Sequence, residues 1–162
     1  MNLRKLSVAD VELLCQLRVD FLLEEQSEIT ENELIGLKAA CREFFFSAFN
    51  SNSFIAIVAE DEGNVLSTAF LNMQMKPPRK SHSPLYSGTI YNVFTYKNFR
   101  RRGLATTVLT ALINEARTAN LSSVDLLASD VGEKLYHLLG FQQVNYSPMR
   151  LELSNTQGKI WN

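Results

Sequence analysis

The chain has few cysteines, no excess of positive charge and no long apolar run, and each absence excludes a class of protein. Its 162 residues include only 2 cysteines, too few for the disulfide framework of a small secreted domain. The net charge of −1 argues against dedicated nucleic-acid binding, which usually requires a basic surface. No apolar segment is long enough to span a membrane, and the N-terminal Met-Asn-Leu-Arg-Lys-Leu-Ser lacks a signal-peptide core. We therefore expect a cytoplasmic protein with no nucleic-acid or membrane partner and no metal site.

The composition and the hydrophobic periodicity predict one α/β domain. With 46% hydrophobic and 20% charged residues, the chain is typical of a globular protein. We expect the domain to occupy residues 1–154 and to be followed by a frayed tail, 155–162. Three prolines indicate a loop over 76–87. The element order is β-α-α-β-β-β-α-β-α-β-β, with strands at 3–6, 54–60, 65–75, 89–95, 124–127, 141–144 and 149–153 and helices beginning near 7, 30, 101 and 130.

The most informative segment joins a predicted strand to a helix through a basic turn, over residues 92–109. The first amides of a helix have no intrahelical acceptor and lie at the positive end of its dipole, so they favour an anion such as phosphate. Arg100, Arg101 and Arg102 add positive charge, and Gly103 has no Cβ to hinder a ligand. The segment is neither a Walker A loop nor a dinucleotide fingerprint. A pyrophosphate-bearing cofactor fits it, although a solvated surface turn is an equally simple interpretation.

Two short motifs resemble those of the GCN5-related N-acetyltransferases. Arg100-x-x-Gly103-x-Ala105 matches the family signature Gln/Arg-x-x-Gly-x-Gly/Ala. Leu-Tyr-His-Leu-Leu-Gly-Phe, at 135–141, resembles the second block, Leu-Tyr-x-x-x-Gly-Phe. Their separation and element order also agree with the family, so the resemblance is clearest over residues 54–145. It implies a mixed, mostly antiparallel sheet with splayed strands and flanking helices.

The resemblance also implies how the cofactor would be bound. Acetyl-CoA would lie between two diverging strands, with its pantetheine on the backbone of the first and its pyrophosphate on the amides of the basic turn. Tyr136 would be the general acid for the departing thiolate, although a tyrosine here could simply pack the helix on the sheet. Ser129 replaces an asparagine common in the family. The implied cofactor-binding residues are Val93, Phe94, Thr95, Arg100, Arg101, Arg102, Gly103, Leu104, Ala105, Thr106 and Ser129.

The acceptor site and the general base are less well defined by the sequence. Several family members have a glutamate on the splayed strand, but here that strand contains no acid. Asn92, on this strand, could orient the substrate or a water molecule. Glu24 and Glu25 belong to an acidic segment that would border the acceptor pocket and attract a cationic amine. Together with Asp130 they are the candidate bases, although each is more often a solvated or capping carboxylate.

We therefore expect an N-acetyltransferase that moves an acetyl group from acetyl-CoA to a primary amine of a small molecule or peptide. The amine would attack directly in a ternary complex, since Cys15 and Cys41 lie on apolar helix faces and are expected in the core. An acyl-CoA-binding regulatory module without transferase activity is an alternative, as is a transferase for another acyl group. A homodimer is also expected.

Overall fold

A five-stranded sheet with helices on both faces forms the framework of the chain. The computed structural model describes residues 1–25, 28–78, 85–145 and 148–151. No helix within these ranges has the length and hydropathy needed to cross a membrane. In chain order the elements are β1 (Asn2–Lys5), α1 (Val11–Glu25), α2 (Glu31–Asn50), β2 (Phe54–Asp61), β3 (Asn64–Lys76), β4 (Leu85–Thr95), α3 (Leu104–Thr118), β5 (Ser123–Asp125) and α4 (Glu133–Leu138), with short 3₁₀ turns at Val8–Asp10 and Lys97–Phe99.

Strand β4 is paired with β5 over only part of its length. The sheet order is β1-β2-β3-β4-β5, and all neighbouring strands are antiparallel except β4 and β5, which are parallel. Their pairing ends where Thr89 meets Asp125, while β4 continues to Thr95. Residues 90–95 still pair with β3, but within the described ranges no strand pairs with their other edge. The predicted mixed, mostly antiparallel α/β sheet with splayed strands is therefore confirmed.

Local sequence signals explain several of the element ends. Thr30 caps α2: its hydroxyl accepts a hydrogen bond from the Glu33 amide, and the Glu33 carboxylate accepts one from the Thr30 amide. Glu62 and Gly63 both have positive φ, +49° and +79°, as a tight turn between antiparallel strands requires. Gly140, at φ +92°, follows α4 in the predicted left-handed conformation.

The hydrophobic core lies on both faces of the sheet. On one face α1 and α2 pack against β2 and β3, and on the other α3 packs against β2, β3 and β4. Cys15 and Cys41 are buried on the face covered by α1 and α2, as predicted. The residues packed on the other face form the α3 cluster. To this cluster α3 contributes three fully buried side chains, Val108, Leu109 and Leu112.

A bulge in β4 reverses the faces of its side chains. Phe70 pairs with Tyr91 and Thr68 with Phe94, so two residues of β4 lie opposite the single residue between them on β3. Asn92, at the bulge, has a left-handed φ of +53°. Ile90 and Phe94 would share a face in a regular strand, but Ile90 packs in the α3 cluster and Phe94 against a phenylalanine of α1.

The C-terminal part of the chain differs from the prediction. Residues 141–144 form no strand, because hydrogen bonds to α4 hold the chain there: the Phe141 amide donates to Tyr136 O, 3.0 Å, and its carbonyl lies 3.1 Å from His137 Nδ1. Residues 149–151 also form no strand, and 152–162, including the predicted tail, lie outside the described residues. The predicted loop over 76–87 is shorter, since Lys76 belongs to β3 and β4 begins at Leu85; 79–84 are outside the described ranges.

Candidate functional site

The turn before α3 has an unusual backbone conformation that orients its amides. Arg100 is extended, at φ −64° and ψ 160°, whereas Arg101 and Gly103 are left-handed, at φ +63° and +77°. Gly103 is the N-cap of α3 and offers no side-chain acceptor to the helix. A Cβ added to Gly103 would have no atom within 4 Å. The backbone is therefore accessible at this point, as close approach of a ligand requires.

The first turn of α3 presents free amide donors. Thr107 is the first residue whose amide reaches a carbonyl of the turn, donating to Gly103 O at 3.0 Å. The amides of Leu104, Ala105 and Thr106 precede it, where helix geometry provides no intrahelical acceptor. The Leu104 side chain is buried and anchors this end of α3 in the core. Open donors, an accessible glycine and the positive helix end together fit a diphosphate.

The three arginines of the turn have different surroundings. The Arg100 guanidinium donates to the Thr95 carbonyl, 2.8 Å, and forms an ion pair with Glu24 at the end of α1. Arg102 folds back, donates to the Asn98 carbonyl at 3.0 Å and lies over the neighbouring phenylalanine ring. Arg101 is exposed. Two of the predicted cofactor-binding arginines therefore brace the turn, while Arg101 presents its charge to solvent.

The half of β4 that extends beyond β5 has one open backbone edge. The Tyr96 amide donates to the Leu66 carbonyl of β3, 3.1 Å. Because backbone groups alternate along a strand, those of Phe94 face β3, and those of Val93 and Thr95 face the open edge. The Phe94 carbonyl accordingly accepts a hydrogen bond from a serine hydroxyl of β3, 2.9 Å. Val93 and Thr95 thus lie where a ligand between β4 and β5 would pass, whereas Phe94 contributes a buried ring.

Tyr136 lies on α4 and packs against the α3 cluster. Its ring makes an edge contact with Phe141, with centroids 5.9 Å apart. Burial raises the pKa of the Tyr136 hydroxyl, so the phenol stays protonated at neutral pH. Gly132 makes room for the ring, since a Cβ there would be 2.8 Å from Tyr136 Cε2. The sequence motif did not identify Gly132, because its proximity to the Tyr136 ring is evident only in the folded structure.

Ser129 supports the turn that leads into α4. Its carbonyl accepts the amides of Gly132 and Glu133, at 2.9 and 3.0 Å, and its hydroxyl accepts Gly132 N at 3.3 Å. From the sequence, Asp130 with Glu133 three residues later is predicted to cap this helix; that prediction is wrong, because Gly132 is the N-cap of α4 and no side chain among the described residues caps the helix. The role of Ser129 in cofactor binding stays a prediction.

Asn92 and Glu24, two of the predicted acceptor residues, contact other parts of the site. The Asn92 amide donates to Leu17 O, 3.1 Å, and its carbonyl oxygen accepts from Arg18, 3.2 Å, so it connects the β4 bulge to α1. Glu24 pairs with Arg100, and Glu25 is exposed at the end of the same helix. These contacts bring α1 against both the bulge and the basic turn.

Tyr96 and Asp20 form a further contact that sequence reasoning missed. The Tyr96 hydroxyl donates to the Asp20 carboxylate, and burial together with that carboxylate raises the pKa of Tyr96. The pair lines a groove of about 1010 Å³ between α1 and the β2–β3 turn, on the β3 side of β4 and away from the β4–β5 gap. The two residues are 76 positions apart, so no local pattern could have linked them.

The cysteines are unsuited to nucleophilic catalysis. Burial raises the pKa of the Cys15 thiol to about 11 and also raises the pKa of Cys41. Neutral thiols enclosed in the core are poor nucleophiles.

Comparison with known proteins identifies a family and a fold. The protein-family model "Acetyltransferase (GNAT) family" matches residues 15–141 of this chain. A predicted acetyltransferase from Clostridium acetobutylicum, crystallised with acetyl-CoA, is 29% identical with a TM-score of 0.77, and the match covers 94% of both chains. A ribosomal-protein-alanine N-acetyltransferase from Brucella melitensis biovar Abortus 2308 is 16% identical, covers 94% and 100% of the two chains and has a TM-score of 0.68. Glucosamine-6-phosphate N-acetyltransferase from Arabidopsis thaliana is 19% identical, covers 93% and 97% and has a TM-score of 0.65. No curated protein sequence matches significantly.

Proposed function

Because this chain belongs to the GNAT acetyltransferase family, which uses acetyl-CoA, we propose that it transfers an acetyl group from acetyl-CoA to a primary amine. The acceptor is a small molecule or a peptide. Two of these structural neighbours differ in acceptor, one being a ribosomal-protein-alanine N-acetyltransferase and the other a glucosamine-6-phosphate N-acetyltransferase, so the fold alone does not define the acceptor. A cytoplasmic location and a homodimer are parts of the same proposal.

In this proposal the open amides of residues 101–106 bind the diphosphate, and the backbone of Val93 and Thr95 binds the pantetheine along the unpaired edge of β4. Acetyl-CoA supplies an acyl group activated as a thioester. The acceptor amine attacks it directly, without an acyl-enzyme, since the buried thiols are protonated at neutral pH. The bond from the amine nitrogen to the acyl carbon forms as the carbon–sulfur bond breaks. Tyr136, kept protonated by burial, donates its proton to the departing sulfur. The proton that the amine loses passes to solvent, from which the phenol is protonated again.

The observation that carries the proposal is the coincidence of two features at one end of the sheet. The accessible amides at the start of α3 come shortly after β4, a strand that continues beyond the end of its partner β5. The test is acetyl transfer to a diverse panel of amines, read as release of free thiol, with acetyl-CoA binding measured separately by isothermal titration. Thiol release that depends on the amine is expected. Absence of acetyl-CoA binding at tens of micromolar would contradict the proposal.

A second candidate, an acyl-CoA-binding module without transfer activity, is favoured by one observation. The part of β4 that extends beyond β5, residues 90–95, contains no carboxylate that could accept the amine proton, and the Asn92 side chain is hydrogen-bonded to α1. Such a module would bind acetyl-CoA and acetylate no amine in the panel. Competition among acetyl-, propionyl- and succinyl-CoA would identify a transferase for another acyl group.

A further inference from the structure

Arg18 is a partly buried arginine of α1 that lies at the contact with β4. Its guanidinium donates to Asn92 Oδ1 at 3.2 Å and lies over the Phe21 ring, with Cζ 5.4 Å from the ring centroid. Within residues 1–25, 28–78, 85–145 and 148–151, no carboxylate lies within salt-bridge distance of it. A guanidinium has five N–H donors, so most of the donors of Arg18 are available.

Other arginines of the described chain are neutralised in a different way. Arg4 pairs with Asp10 and Glu60, and Arg42 pairs with Glu12. A cation that is partly removed from water is costly unless an anion compensates it. The neutral amide of Asn92 orients the guanidinium of Arg18 but leaves its charge uncompensated.

The position of Arg18 relates this charge to the proposed reaction. Asn92 lies on β4 beyond Thr89, the last residue paired with β5, and therefore beside the gap. Its side chain contacts α1, which packs on the face of the sheet opposite α3. Arg18 thus lies on the far side of the gap from the amides at the start of α3. An acceptor that enters from the α1 face would meet this guanidinium beside the acyl group.

We propose that Arg18 binds a carboxylate of the acceptor, so that the acceptor is a small amine of the amino-acid type. This inference rests on the proposed acetyl transfer. The planar guanidinium fork pairs well with a carboxylate, and the contacts to Asn92 and Phe21 hold it in place before the acceptor binds. Arg18 would therefore determine specificity and would leave the binding of the cofactor unchanged.

The test compares amino acids with their carboxamides, which keep the amine and side chain but lack the negative charge. For each pair, kcat/KM is measured with saturating acetyl-CoA. We expect the wild-type chain to favour the carboxylate by about 10- to 100-fold, the range for one charge-assisted interaction. In Arg18→Met this ratio should fall to near one, and Arg18→Lys should retain part of it.

The ratio is insensitive to any loss of folded protein, because both acceptors are measured on the same preparation. Arg42→Met is the matched control, since it removes a positive charge from the neighbouring helix α2 and should leave the ratio unchanged. Equal rates for carboxylate and carboxamide in the wild-type chain would overturn the inference, as would an unchanged ratio in Arg18→Met. Neither result affects the proposed function, which is tested separately by acetyl-CoA binding and by the full panel of amines. Acetylation of other amines in the panel, but of neither amino acids nor their carboxamides, would overturn the inference and leave the proposed function standing.

Discussion

Replacing Gly103 by alanine separates the cost of backbone strain from the loss of cofactor binding. Gly103 has φ +77°, and an added Cβ would meet no atom within 4 Å. The left-handed conformation costs an alanine about 1 kcal/mol. For a chain of this length that corresponds to a decrease in Tm of roughly 2–4 °C. Because the added methyl group projects into open space at the amides of α3, we expect it to obstruct the diphosphate.

The chain provides a matched control at Gly63. This glycine has φ +79°, also with no atom within 4 Å of an added Cβ, but it lies in the β2–β3 turn. Gly63→Ala should therefore produce the same decrease in Tm and leave acetyl-CoA binding unchanged. Gly103→Ala should in addition weaken binding by about 10- to 100-fold, since a charge-assisted hydrogen bond contributes about 1.5–3 kcal/mol.

The measurements are thermal unfolding without ligand and isothermal titration with acetyl-CoA, on both variants and the wild-type chain. The reasoning would be refuted if Gly103→Ala bound acetyl-CoA as tightly as Gly63→Ala. Equal affinities would mean that the diphosphate does not approach this turn.

Three further predictions concern the general acid, the ion pair and the buried thiol. Tyr136→Phe should slow turnover while leaving acetyl-CoA binding intact, measured by steady-state kinetics and titration; full activity would exclude the acid role. Glu24→Gln should raise the KM for acetyl-CoA through loss of its ion pair with Arg100 and change stability by less than about 1 kcal/mol, because the pair is partly exposed. An unchanged KM would show that the pair does not position the turn. Burial raises the pKa of Cys15 from 9.0 to about 11. The neutral thiol therefore makes its full contribution to the free energy of unfolding below pH 9. This contribution is lost between pH 9 and 11, because the thiol ionises in the unfolded chain before it does in the folded one. Urea unfolding should therefore show a shallower loss of stability over that interval in Cys15→Ala than in the wild-type chain, and equal slopes would contradict the assignment.

The strand, the basic turn and the helix over residues 90–118 could be predicted because each has a local signal. The helix after the turn shows a regular apolar stripe, and Gly103 marks its start. The left-handed conformation of Arg101 had no such signal, since arginine has no preference for it. The bracing roles of Arg100 and Arg102 were also inaccessible, because Glu24, the partner of the first, is 76 positions away.

The errors near the C-terminus have a different origin. Phe141 and Val144 are of residue types that are enriched in strands, but a strand also needs a neighbour to pair with, and residue type cannot provide one. The hydrogen bonds from Phe141 to α4 follow from the left-handed Gly140, which was predicted, yet their effect on the following residues was not. The role of Ser129 in the turn before α4 was missed because serine and aspartate are N-caps of similar strength, so residue type does not distinguish Ser129 from Asp130.

The extra residue at Asn92 provides a polar link between β4 and α1. Deleting Asn92 would leave one residue of β4 opposite Ala69 and would change neither of the flanking pairs. The strand would then be regular and Phe94 would stay on the α1 face, but the two hydrogen bonds between the Asn92 side chain and α1 would be lost. A family member that lacked this insertion would therefore need another residue to tie its first helix to the sheet beside the gap.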